Sequence, residues 1–214
     1  FDREPRFYAS VGFDGGKWLM SSHPNRSDVG NYVVKSKFGQ ISYGAVEGSY
    51  SMTGYFIKKL VNWKSQFTSS TTGVEYSWPE IRLADVYLMY VEALNELEGP
   101  NGENSGDMFF YIDEVRSRAG LDGVRKSWTE FSTNPAKLTT KEGMRDIIQR
   151  ERLNELAFEG SRYFDLLRWK LAESYLDTPI TGWDVKQDDA TAYYKTKTIT
   201  YRQFIAPRDY FLPI

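Results

Sequence analysis

Residues 77–100 read SWPEIRLADVYLMYVEALNELEGP, and this stretch decides the fold class. Ser77-Trp78-Pro79-Glu80 has the pattern of a capping box with proline near a helix start, and Gly99-Pro100 supplies a stop. One long helix is predicted between them. Within it Ile81, Leu83, Ala84, Val86, Tyr87, Leu88, Met89, Tyr90, Val91, Ala93, Leu94 and Leu97 surround the axis, leaving a narrow polar stripe through Arg82, Asp85, Glu92 and Glu96. A helix apolar on most of its circumference has to be buried by neighbours on several sides. The segment therefore predicts a helical scaffold that does not fold comfortably without further helices to cover it.

The sequence that follows supplies such neighbours. Ser105 opens a second helix in which Phe109, Ile112, Val115 and Ala119 recur at helical spacing, and Gly120 ends it with Leu121 placed for a Schellman stop. After a loop expected over 122–138, Thr139-Thr140-Lys141-Glu142 reads as a capping box for a helix running to Glu159 and stopped by Gly160. Ser161 begins a fourth helix carrying Phe164, Leu167 and Leu171. Two helical hairpins in succession suit stacked helix pairs of the tetratricopeptide kind, although no clean repeat of about 34 residues is present. Beyond Asp177, the breakers Pro179, Gly182, Pro207 and Pro213 leave room for one short strand, expected at Thr198–Ile205.

The sequence that precedes the helix is of another kind. Residues 7–20, FYASVGFDGGKWLM, alternate apolar and small residues around Asp14-Gly15-Gly16 and predict a β-hairpin. From 21 to 76 the chain is rich in Ser, Gly, Asn and aromatics without sustained periodicity, apart from an apolar-basic run at Tyr55–Trp63. Long loops in a compact protein are usually functional or disordered, and the aromatic content disfavours disorder. The expected organisation is a hairpin and aromatic loop region over 1–76, helical hairpins over 77–176 and an irregular segment over 177–214.

Composition excludes several classes of function. Among 214 residues there is no cysteine and one histidine, so disulfide scaffolds and thiolate zinc sites are impossible. Lys and Arg number 27 against 29 Asp and Glu, which leaves no basic excess for nucleic acid or a membrane surface. No apolar run long enough to span a bilayer and no signal-peptide pattern is present. The chain opens on Phe1, which reads as a fragment or trimmed chain, with any targeting signal or anchoring cysteine expected outside it.

Two constellations carry candidate chemistry. Glu151, Glu155 and Glu159 fall at i, i+4 and i+8 and would line one helix face in continuation of Met144 and Ile148. Paired carboxylates can hydrolyse glycosides or hold two metals, but the second role needs an E-x-x-H partner, and the one imidazole, His23, lies elsewhere. The same segment carries matching arginines. Because arginine forks satisfy carboxylates two hydrogen bonds at a time, a structural ion-pair lattice of Glu151, Arg152, Glu155, Glu159, Arg162, Asp165 and Arg168 is the expected reading, with no metal and no catalytic residue. No G-x-S-x-G surrounds any serine, and a phosphate loop at Gly15-Gly16-Lys17 fails at Val11 and Trp18. The second constellation is aromatic. Trp18, Tyr32, Tyr43, Tyr50, Tyr55 and Trp63 are spread through segments without core periodicity, and sugar rings lay their apolar C–H faces on such rings.

Several stretches are similar to the SusD/RagB family. Residues 82–96, RLADVYLMYVEALNE, resemble its R-L-A-D-V-x-L-M-Y-A-E-A-x-N-E helix, and 112–121, IDEVRSRAGL, resemble its I-N-x-V-R-x-R-A-G-L. Residues 151–169, ERLNELAFEGSRYFDLLRW, are similar to E-R-x-x-E-L-A-F-E-G-x-R-x-F-D-L-x-R-W. REPRFY at 3–8 resembles a D-P-R-F segment with Glu4 in place of Asp, Gly54–Lys59 a G-Y-x-x-K element, and Tyr210–Ile214 the start of Y-L-L-P-I-P. The resemblance spans the chain but only the C-terminal portion of the family. It implies an α-α superhelix of tetratricopeptide-like pairs in a lipoprotein on the outer-membrane surface of Bacteroidetes-type bacteria. Such a protein binds glycans or other nutrients, is not an enzyme, needs no cofactor, and sits as a lid on a SusC-like TonB-dependent β-barrel importer, held by an anchor this chain lacks.

The residue-level reading agrees with that expectation. Glycan capture would use Trp18, Tyr32, Tyr43 and Tyr50, with Asn25, Arg26 and Asn31 as hydrogen-bond donors. Two alternatives stay open: a protein-docking helical scaffold whose specificity lies outside this segment, and, more remotely, a glycoside hydrolase acting through Glu151 and Glu155.

Overall fold

The computed structural model describes residues 2–19, 32–43, 50–67, 71–75 and 77–211. In chain order its elements begin with α1 (Pro5–Ser10), β1 (Val11–Phe13), β2 (Lys17–Trp18), β3 (Tyr32–Val33), β4 (Tyr55–Ile57), β5 (Gln66–Phe67) and β6 (Thr71–Thr72). The helical stretch follows as α2 (Leu83–Glu98), α3 (Ser105–Arg118), α4 (Val124–Glu130), α5 (Lys141–Glu155), α6 (Ser161–Arg168) and α7 (Ala172–Leu176). Then come β7 (Ile180–Trp183), α8 (Ala190–Tyr193) and β8 (Thr196–Thr200). The chain is mainly helical, with short two-stranded pairings. It divides into two compact units, Phe1–Phe7 with Ser77–Arg162 and Tyr8–Tyr76 with Tyr163–Ile214.

In the first unit α2, α3 and α5 share one apolar core. Ala84, Leu88, Val91 and Leu94 of α2 meet Met108, Phe109, Ile112 and Val115 of α3 and Met144, Ile147 and Ile148 of α5. These positions recur at the three- and four-residue intervals that put side chains on one helix face. Asn95 is fully buried, and its Nδ2 donates to the Lys141 carbonyl at 3.0 Å, tying the end of α2 to the start of α5. The Schellman stop forms after α3: Leu121 N–H donates to Arg116 O at 3.1 Å and Gly120 N–H to Ser117 O at 2.9 Å.

Four details depart from the sequence reading. Helix α2 starts at Leu83, not beside Glu80, with an extended Arg82 as its cap and no side-chain cap hydrogen bond: a guanidinium has no acceptor to offer the first-turn N–H groups, and that of Arg82 donates to distant carboxylates. It is also buried on one face only: Leu83, Val86, Met89, Tyr90 and Leu97 are exposed, Leu97 by 78%. The expected loop after α3 contains α4, anchored by fully buried Val124, whose N–H donates to Asp113 Oδ1 at 2.7 Å. Helix α5 is capped by Thr140, whose hydroxyl accepts the Gly143 N–H at 3.1 Å, and ends at Glu155. Phe158 then takes a left-handed φ of 66°, so Glu159 lies beyond the helix.

The second unit holds the strands. The Asp14-Gly15-Gly16 turn closes, with Gly16 N–H donating to Phe13 O at 2.8 Å, but the strands on either side of it do not pair with each other. Strand β1 pairs antiparallel with β4 and β2 with β3. Gly12 makes room for the indole between them: a Cβ there would lie 2.6 Å from Trp18 Cζ3. Strands β7 and β8 also pair antiparallel, with an irregularity between Ile180 and Thr181. The strand expected at Thr198–Ile205 thus starts two residues earlier and ends at Thr200.

Buried Asp14 organises this unit. It accepts the Ser36 N–H at 2.9 Å, the Tyr194 hydroxyl at 2.6 Å and the Lys37 ammonium at 2.5 Å. Fully buried Tyr193 exchanges a hydrogen bond with Ser36 Oγ at 2.9 Å. A separate small core joins Leu166, Ala172 and Phe204, with Leu167 and Leu171 against it, whereas Phe164 is exposed.

Candidate functional site

The acidic row of α5 continues its apolar face. After Met144, Ile147 and Ile148, the next positions turned inward are Glu151, Arg152 and Glu155, and the two glutamates are each only 2% exposed. A carboxylate in such a place has to be paired to stay ionised. Glu151 Oε1 accepts from Arg6 Nη1 at 2.6 Å and its Oε2 from Arg116 Nη1 at 2.9 Å. Glu155 meets Arg6 Nη1 at 3.3 Å, Arg82 Nη2 at 3.0 Å and Arg118 Nη2 at 2.5 Å. Glu159 grips Arg82 with both oxygens, at 2.7 and 2.8 Å, and Glu4 does the same for Arg6, at 2.8 and 2.9 Å.

Four carboxylates (Glu4, Glu151, Glu155, Glu159) thus face four guanidiniums (Arg6, Arg82, Arg116, Arg118). The partners come from α1, the α2 cap and the end of α3. Arg152 turns instead to Asp85 at 2.9 Å, and Arg168 meets Asp165 at 2.8 Å. Arg162, half-buried in the first turn of α6, is itself engaged. Burial works against the charge on Arg6 and on Arg82, yet the hydrogen bonds that the first donates to Glu4 and Glu151, and the second to Glu159 and Glu155, hold both above the ordinary guanidinium value. Among the described residues no group of three or more His, Asp or Glu side chains is placed to hold a metal ion.

A different kind of site lies in the second unit. The pairing of β2 with β3 sets Trp18 directly opposite Tyr32, the geometry in which cross-strand aromatics touch. Together with Leu19, Val34, Ser42, Phe56, Val61, Asn62, Trp63 and Ser65 they enclose a cavity of about 640 Å³. This falls within the range of roughly 300–1,000 Å³ usual for small-molecule sites. Among the described residues none of the side chains lining it is charged.

The polar groups of the cavity are few and positioned. Tyr32 Oη and Ser42 Oγ share a hydrogen bond, and Ser42 Oγ also accepts the Lys35 N–H at 3.1 Å. Asn62 Oδ1 accepts the Lys64 N–H at 2.9 Å, which leaves its NH2 group as a donor. Trp63 is 48% exposed, with the Lys64 ammonium 5.7 Å from its ring centre.

The residues expected to form one glycan site separate in the structure. Trp18 and Tyr32 share the cavity, whereas Tyr43 and Tyr50 stack on each other at 4.8 Å and 12° and do not line it. Asn25, Arg26 and Asn31 lie outside the described residues, as does His23. Trp63 was visible in the sequence as one ring among several. Phe56, Asn62 and Ser65 carried no signal, because their place depends on β4 pairing with β1.

Comparison with known proteins now identifies the scaffold that carries this site. The SusD family model matches residues 1–214. The chain belongs to the SusD family. It is 43% identical over 88 residues to SusD-like protein P25 of Formosa agariphila, a stretch covering 41% of this chain and 14% of that protein. It is 35% identical over 91 residues to SusD-like protein P2 of the same organism, covering 42% and 16%. A SusD-like protein from Bacteroides fragilis shares the fold, with a TM-score of 0.72 at 24% identity over 97% of this chain and 35% of that one. A SusD-like carbohydrate-binding protein from the same species superposes with a TM-score of 0.62 at 26% identity, over 100% of this chain and 39% of that one. The chain therefore spans little more than a third of the length of these SusD-family structures.

Proposed function

We propose that this SusD-family chain is the C-terminal portion of a cell-surface saccharide-binding protein. It binds oligosaccharide in the cavity walled by Trp18, Tyr32, Phe56 and Trp63 and passes it to a SusC-like TonB-dependent barrel. The observation that carries the reading is an uncharged, aromatic-walled space with a few fixed hydroxyl and amide groups at its edge. Sugar rings present apolar C–H faces beside hydroxyls, and that chemistry fits such walls. Family membership and the carbohydrate-binding relative support it. Asn25, Arg26 and Asn31 enter the proposal on sequence grounds alone.

The protein acts by binding, not by catalysis, on this reading. Hydrolysis would need Glu151 or Glu155 beside a substrate and a water, but both are buried and held by two or more guanidiniums. Outer-membrane placement is part of the proposal, and family membership supports it. Among the described residues no helix is long and apolar enough to cross a membrane.

Isothermal titration of the chain with a panel of neutral oligosaccharides tests the proposal. Trp63→Ala and Trp18→Ala are expected to weaken binding about tenfold, as truncation of a central aromatic anchor does. Affinities equal to the parent for both variants would remove the cavity as the site. The exposed apolar row of α2, Leu83, Val86, Met89 and Leu97, favours docking onto a SusC-like importer as a second reading. Capture of the barrel by this chain without any sugar affinity would select it.

A further inference from the structure

A second, smaller cleft lies in the same unit, away from the cavity. It holds about 230 Å³ between the 50–54 turn and the β7–β8 pair, and is lined by Tyr50, Met52, Trp183, Asp184, Lys186 and Lys197 together with residues of β8. That volume admits a single sugar ring and no extended chain, below the usual range for a complete ligand site.

Its aromatic walls are braced on their outer sides. Tyr50 stacks on Tyr43, which in turn meets Phe38 at 5.1 Å. Trp183 is held edge-on by Tyr194 at 5.5 Å and flanked by Tyr55 at 6.0 Å, and its backbone N–H donates to Thr53 O at 3.1 Å. Gly54 lets the turn approach this closely: a Cβ there would lie 2.8 Å from Trp183 Cδ1 and from Tyr193 Oη.

Charge separates this cleft from the uncharged cavity. Asp184 is engaged on both oxygens, Oδ1 by Lys197 at 3.4 Å and Oδ2 by Gln187 Nε2 at 3.2 Å. Lys186 has no acidic partner among the described residues, so two ammonium groups line the cleft against one carboxylate. A ligand that lays a ring against Trp183 or Tyr50 and sets one negative group beside Lys186 satisfies both features.

We infer that this cleft is a second saccharide subsite, selective for a sugar that carries a single negative charge, a uronic acid unit in the first instance. The inference rests on the saccharide-binding reading above but uses none of the residues of the larger cavity. One segment connects the two sites. Ser42 lines the cavity, and its neighbour Tyr43 supports the Tyr50 wall of the cleft.

The test is titration calorimetry with galacturonic acid and with its methyl ester, which keeps the ring and removes the charge. The acid is expected to bind about fivefold tighter than the ester, the scale of one or two partly exposed ion pairs, and the margin is expected to shrink with added salt. Lys186→Ser/Lys197→Ser, changes at exposed positions, is expected to erase the margin while leaving affinity for neutral oligosaccharide unchanged. Equal affinities for acid and ester, no binding of the acid, or a margin that survives in the double variant would each overturn the inference. Trp63→Ala, run in parallel, reports on the larger cavity alone, so loss of one site is distinguished from loss of the other.

Discussion

Replacing Glu155 with glutamine removes one negative charge from the centre of the arginine lattice without changing side-chain volume. Three guanidiniums lose an ionic acceptor: Arg6 at 3.3 Å, Arg82 at 3.0 Å and Arg118 at 2.5 Å. Deleting one member of a buried ion pair costs about 3–5 kcal/mol, because the other charge stays buried and unmatched. Two features move the expectation to the lower end. Arg118 is 61% exposed in its side chain and can turn to water, while Arg6 retains Glu4 and Glu151 and Arg82 retains Glu159. The expected loss is therefore about 3 kcal/mol, or about 1.5 M in the urea midpoint for a slope of about 2 kcal/mol per M. Far-ultraviolet dichroism during urea unfolding reads it directly. Glu96→Gln is the control, since Glu96 meets Arg145 with two equally short bonds of 2.7 Å but on the exposed side of α2, where pairs are worth about 1 kcal/mol or less. If Glu155→Gln costs no more than Glu96→Gln, the lattice does not hold the helices together and the structural account of these carboxylates fails.

Three other outcomes follow from the second unit and the remaining carboxylate. Burial acts to raise the Asp14 carboxyl, but Lys37, Tyr194 and the Ser36 amide outweigh it and hold its pKa below the ordinary 3.8. Such a group stabilises fully above its unfolded value and loses that contribution as pH falls through the lowered folded one. Asp14→Asn should thus cost about 1–3 kcal/mol near neutrality and narrow its deficit below pH ~4, as read by thermal melts across pH; a deficit independent of pH would refute the ionic role. Gly54→Ala, at a φ of 78° and with Trp183 and Tyr193 in the path of its methyl, is expected to cost about 2 kcal/mol or more in the same melts, and a neutral result would mean that the turn is not packed as described. Glu151→Gln is expected to leave reducing-sugar release from a glycan panel unchanged, because both Glu151 oxygens are held by guanidiniums; hydrolysis abolished by this change would reinstate the carboxylate mechanism.

The opening helix, its partner and the apolar face of α5 were legible because a 3.6-residue period is a local property: each turn of sequence repeats the pattern that its burial requires. The Schellman stop at Gly120 and Leu121 was legible for the same reason. The start of α2 and the end of α5 were not. Pro79-Glu80 has the form of a cap, yet the start moved to Leu83 because Arg82 reaches carboxylates 73 and 77 positions away. No local pattern records that demand.

The sequence by itself determined the helical class, the SusD-family scaffold and the balance of acid and base, since periodicity, motif order and charge count are all written along the chain. Tertiary structure alone decided which arginines meet Glu151 and Glu155, and which rings share a wall. Trp18 faces Tyr32 because two strands of two residues each pair across fourteen positions, and Tyr43 joins Tyr50 elsewhere. Aromatic side chains have no sequence periodicity in loops, so their grouping is fixed only when distant strands meet and Gly12 lets an indole lie across a backbone.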